Sequence, residues 1–83
     1  MYRKIEEELK ISTNEASEMF PDSYILMRLE SDDTLNRVGT ALYIGDTHRE
    51  LLPVRKALED RTLCTIVEGL NHRRSLGGVI VGE

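Results

Sequence analysis

The chain has one cysteine, no tryptophan, two prolines and four aromatic residues among its 83 positions. Each scarcity excludes something. A lone Cys64 cannot form an intramolecular disulfide or a multi-cysteine metal site, and it fits a reducing, cytoplasmic setting. Its surroundings, LCTIVEG, read as a buried strand, so the thiol is expected to pack in the core rather than to act as a nucleophile. Tyr2, Phe20, Tyr24 and Tyr43 leave few platforms on which single-stranded bases could stack. A net charge of −4 also opposes general attraction to phosphate backbones, so nucleic acid is not the expected partner. No apolar run approaches the ~20 residues of a membrane span, and MYRKIEEELK has no apolar signal region, so neither insertion nor secretion is expected.

What is present is ordinary globular composition: 40% hydrophobic and 31% charged. A chain of this size buries only roughly 60 to 65% of its unfolded surface, so it builds one modest core in a single domain, residues 1–83. Charge is unevenly placed. Residues 1–35 carry nine acidic against four basic side chains, and residues 36–83 carry six against seven. On a small domain such an asymmetry reads first as a solvated acidic face.

The run VGTALYIGDTHRELLPVRKALED, residues 38–60, reads as strand, tight turn and helix. Val38, Thr40, Leu42 and Ile44 alternate with Gly39, Ala41, Tyr43 and Gly45, which predicts a bulky face toward the core and a mostly small face opposite. Thr47 and Glu50 have capping-box spacing and start a helix near His48, with Leu51, Val54 and Leu58 on its inner face. Pro53 removes a hydrogen bond and crowds the preceding turn, which predicts a kink or restart there.

Tyr2, Ile5 and Leu9 share a helical face, which predicts a helix over residues 2–10. Ser12 with Glu15 forms a second capping box and predicts another helix near residues 13–20, stopped by Pro21. SYILMRLE, residues 23–30, reads as a central strand because its apolar start is nearly continuous. Polar residues 31–36 would join it to the next strand as a hairpin, and residues 63–68 and 78–82 read as two more strands. The expected fold is α+β with the order ααββαββ: a four-stranded, mainly antiparallel sheet with helices on one face. In the simplest strand order, the strand at residues 23–30 is flanked by those at 38–45 and 63–68.

The phrases ASEMFPDSYILM, GTALYIGD, EGLN and SLGGVIVG, spread over residues 16–82, resemble a small uncharacterised bacterial domain family. That resemblance implies a bacterial, cytoplasmic, non-enzymatic protein and supplies no catalytic residue.

Candidate functional residues are few. In GLNHRRSLGG, residues 69–78, His72, Arg73, Arg74 and Ser75 are potential donors, and Gly77 with Gly78 would let backbone amides approach an anion. The stretch lacks a P-loop ending and the dinucleotide-binding glycine fingerprint, so no cofactor is expected, and its bland reading is a solvated turn. His48 and His72 lie on different elements without ligand spacing, so no metal is expected. Glu6, Glu7 and Glu8 read as an exposed charge run, and Ser75 lacks the G-x-S-x-G setting of a nucleophile elbow. With no catalytic set, the expected function is a non-enzymatic protein-interaction or self-association module. The alternative is binding of a small anionic ligand or nucleic acid through the loop from His72 to Gly78. A homodimer would use Tyr2, Ile5 and Leu9, or the terminal strand Val79, Ile80 and Val81, whose outer edge is expected to be open to another chain if it lies at the margin of the sheet.

Overall fold

A computed structural model describes residues 1–30, 37–59 and 61–72. Seven elements follow one another: β1 (Arg3–Ser12), α1 (Thr13–Met19), β2 (Tyr24–Leu29), β3 (Val38–Gly45), α2 (His48–Lys56), a 3₁₀ turn (Arg61–Leu63) and β4 (Cys64–Glu68). The strands form one antiparallel sheet in the order β1-β3-β2-β4. The α+β class, a four-stranded antiparallel sheet and the central place of β2 between β3 and β4 are as the sequence predicts, although the fourth strand described is residues 3–12, where one at 78–82 was expected. The element order differs: it runs βαββαβ rather than ααββαββ.

The main correction is at the start of the chain, where residues 3–12 are a strand and not a helix. Ile5 and Leu9 are four apart, a spacing that serves a helix turn and a strand face equally. Ile11, two residues beyond Leu9, fits only the strand. All three pack against the same core cluster as Ala16, Ile25, Met27, Leu29, Ala41 and Ile44. The expected terminal strand at residues 78–82 lies outside the described residues, as do residues 31–36 of the β2–β3 connection.

The helices also do not share a face. Alternation along β2 sends Ile25, Met27 and Leu29 to the side where Ala16 and Phe20 of the α1 segment pack, and Leu26 to the side covered by Leu51 of α2. Ile25, Leu26 and Met27 are all fully buried, so the nearly continuous apolar run is the signature of a strand covered twice. Each such side chain contributes about 1.5–3 kcal/mol through removal from water.

In β3 the predicted alternation breaks at Leu42. Tyr43 pairs with Leu26 but Ala41 pairs with Met27, leaving Leu42 as a bulge. The extra residue changes which side chains share a face: Ala41 joins Ile44 in the α1-side core, and Tyr43 packs on the α2 side.

Both capping boxes form. Ser12 Oγ accepts from the Glu15 amide at 3.1 Å while Glu15 accepts from the Ser12 amide at 3.0 Å. Thr47 Oγ1 accepts from the Glu50 amide at 3.2 Å, and Glu50 Oε2 from the Thr47 amide at 3.0 Å. Helix α2 then runs through Pro53 as one element, without the expected restart. Burial of Leu51, with Val54 and Leu58 packed beside it, opposes the loss of one backbone bond, and Ala57 closes the helix by donating to both Pro53 and Val54 carbonyls at 3.2 Å.

Cys64 is 3% exposed and packs with Leu26 and Leu51, as its apolar setting predicts. Two glycines are required by close approach. A Cβ on Gly39 would stand 2.1 Å from the Arg28 carbonyl oxygen, and one on Gly69 would meet the carbonyl oxygens of Phe20, Pro21 and Ser23 at 2.4 to 2.5 Å. Gly39→Ala and Gly69→Ala are each expected to destabilise the fold by about 1–3 kcal/mol, read as a lower urea midpoint with an unchanged slope. An unchanged midpoint for either would show that the backbone there is free to move.

Candidate functional site

A pocket of about 380 Å³ opens on the α2 side of the sheet, where α2 no longer covers it. Its floor is Arg28, Thr40, Ala41, Leu42 and Tyr43, one wall is Lys4 to Glu8 of β1, and Leu58 closes the other side. The β1 wall arises from register. Lys4 pairs with Tyr43 and Leu9 with Ala41, so four residues of β1 stand opposite the single Leu42 of β3. Three consecutive carboxylates, Glu6, Glu7 and Glu8, occupy that bulge, where all are exposed. Bulging the strand lets these charges stay in water and spreads them from one another.

Arg28 is exposed although it lies on the central strand, opposite Thr40 of β3 and Cys64 of β4. Beyond the pocket, Lys10 pairs with Glu30, and that carboxylate holds the ammonium's pKa above its ordinary 10.5. The pocket therefore offers two cationic side chains, two hydroxyls and an acidic rim. Such a surface can bind and orient a charged partner, and among the described residues its lining includes no histidine, cysteine or serine. Nothing in the sequence spacing points to it, because Lys4, Arg28, Tyr43 and Leu58 meet only through the strand order and the two bulges.

The residues singled out from sequence are dispersed. Ile5 and Leu9 are half-buried against the sheet's own core. Tyr2 is 44% exposed and meets Tyr43 edge-on, ring centres 5.9 Å apart. Leu70, Asn71 and His72 are helical, where a turn was expected. This short turn is clamped to the segment between α1 and β2: the Asn71 amide donates to Pro21 O at 2.9 Å, Asn71 Nδ2 to Asp22 Oδ1 at 2.6 Å, and His72 Nε2 to Asp22 O at 2.9 Å. The His72 ring stacks on Tyr24 with centres 4.4 Å apart, while His48 meets Tyr24 edge-on at 6.0 Å. The two histidines thus share one aromatic neighbour, a meeting that sequence reasoning missed. Among the described residues no group of three or more His, Cys, Asp or Glu is placed to hold a metal ion. Arg73, Arg74, Ser75, Val79, Ile80 and Val81 lie outside the described residues.

No helix among the described residues is long and apolar enough to cross a membrane. Comparison with protein-family models, with curated proteins and with solved structures gives no match to this chain.

At the α2 N-terminus, Glu50 Oε1 faces the N-terminal ammonium at 3.3 Å, and Asp46 lies 2.9 Å from the same group. Partial desolvation pushes the Glu50 pKa up, but the Thr47 hydroxyl, the ammonium and the Thr47 amide together outweigh it and hold the carboxyl below its ordinary 4.5. With the folded-state value below the unfolded one, Glu50 contributes stability that is fully present above the unfolded value. That contribution is lost as pH falls through the lower folded value. Urea unfolding of the native chain and Glu50→Gln, followed downward from about pH 6, is expected to show a stability gap that closes on the acid side of 4.5. A gap independent of pH would mean that the carboxylate's charge plays no part in capping.

Proposed function

We propose that this protein is a non-enzymatic interaction module that associates with a protein partner or with itself through the pocket on the α2 side. The observation that supports this reading most is the exposed Arg28 on a central strand whose Ile25, Leu26, Met27 and Leu29 are buried. A charged side chain there leaves an uncovered stretch of sheet beside an acidic bulge, with Tyr43 and Leu58 as apolar contact area. The setting is bacterial and cytoplasmic on this reading, in keeping with the phrases that resemble a bacterial domain family and with the single thiol.

The alternative, a small anionic ligand or nucleic acid at His72, Arg73, Arg74 and Ser75, has less support. His72 already donates Nε2–H to Asp22 O and stacks on Tyr24, which leaves only its other ring nitrogen for a ligand.

Sedimentation velocity across about a hundredfold range of protein concentration, with and without candidate partners, tests the reading. Association is expected in the native chain, and Arg28→Glu, checked for an intact fold by circular dichroism, is expected to weaken it by about tenfold or more. A chain that stays monomeric throughout and binds no protein would overturn the proposal; association indifferent to Arg28→Glu would move the contact elsewhere.

A further inference from the structure

Strand β4 lies at one margin of the sheet, hydrogen-bonded only to β2 among the described strands. The direction of its backbone groups follows from one bond. Gly69 N–H donates to Ser23 O at 2.8 Å, just beyond the pairs Tyr24 with Glu68 and Ile25 with Val67. In an antiparallel ladder the bonded and non-bonded pairs alternate, so Val67 and Thr65 turn their amides and carbonyls toward β2. Cys64, Ile66 and Glu68 turn theirs outward.

Two of those three outward carbonyls are already occupied. Arg55 Nε donates to Cys64 O at 2.8 Å, and the Ser17 hydroxyl donates to Glu68 O at 2.8 Å. One donor comes from α2 on one face and the other from α1 on the opposite face, so they close in on Ile66 from both sides of the sheet. Ser17 is 1% exposed and is the buried polar side chain among the described residues, which marks its placement as specific rather than incidental.

We infer that Arg55 and Ser17 are edge caps that close β4 to a further strand, and that the strand they exclude is β4 of a second copy. Self-pairing of β4 about Ile66 opposes Thr65 with Val67 and Cys64 with Glu68. No like charges meet, and the β-branched residues suit a pleated pair. The other margin does not need such caps. Pairing β1 with itself about Glu7 would set Glu6 against Glu8 and Lys4 against Lys10, and the bulge breaks the ladder there. The acidic run and the two side-chain donors are thus two solutions to one hazard, placed at opposite ends of the sheet.

This inference stands apart from the pocket, because it concerns a different surface and is read out at a different residue. The experiment uses the full chain, with amide hydrogen exchange at Ile66 and sedimentation side by side. In the native chain the outward Ile66 amide is expected to exchange quickly at any concentration. In Ser17→Ala/Arg55→Met, folded by circular dichroism, self-association beyond that of the native chain is expected as concentration rises, with Ile66 exchange slowed by about tenfold or more in the added species. Arg55→Met alone, at a half-buried helix position, is expected to give the same changes in smaller measure and serves where the double variant does not fold. Cap removal that adds no self-association to that of the native chain, or that adds it with Ile66 still in fast exchange, overturns the inference. So does slow exchange of Ile66 in the native chain, which would mean that the margin is covered by something other than these two caps.

Discussion

Burial of β2 from both sides is the constraint on which the rest of the molecule depends. A strand with Ile25, Leu26 and Met27 all fully buried needs apolar cover on each face and a strand on each flank. Short helices supply the cover: Ala16 of α1 below and Leu51 of α2 above. The connections then follow. Each of α1 and α2 carries the chain between two parallel strands that have an antiparallel neighbour inserted between them, β3 in the first case and β2 in the second. The two crossovers interlock around the β2–β3 pair, so neither helix can be lifted without uncovering one side of the same strand.

Where β2 stops being apolar, the structure opens. Arg28 follows Met27 on a strand whose earlier residues are covered, and α2 ends before reaching it. The two bulges at Leu42 and in β1 widen the gap by pushing backbone and carboxylates outward. The pocket is therefore a by-product of the same register that sorts the core. Ala41 and Ile44 reach one side only because Leu42 is left unpaired.

Much of this was legible in local signals. The capping boxes at Ser12–Glu15 and Thr47–Glu50, the central β2 and the buried Cys64 all rest on residues close in sequence, and each forms. The misreadings come from signals that two periods share or that distant residues decide. Ile5 and Leu9 satisfy a helix and a strand alike until Ile11 is counted, and the need of β3 for a partner on its open side tips the choice. The alternation of Val38, Thr40, Leu42 and Ile44 looked regular because a bulge leaves no mark in a run of apolar residues. Apolar side chains on both faces of β2 already implied two covering layers, so the placement of α1 and α2 on opposite sides could have been read from Leu26 between Ile25 and Met27. The pocket and the sharing of Tyr24 by His48 and His72 are different in kind: they join residues from three or more elements, and no spacing encodes them.

The burial of the one cysteine makes the molecule its own reporter of motion. Cys64 sits beneath Leu51 with its carbonyl held by Arg55, both from α2. A thiol reagent reaches the sulfur only when that helix swings away, so the labelling rate counts openings of α2 rather than collisions with the surface. Compared with the rate of global unfolding, that single number divides the molecule's breathing into two parts: motions confined to the α2 layer, and those that also release the α1 layer beneath the sheet.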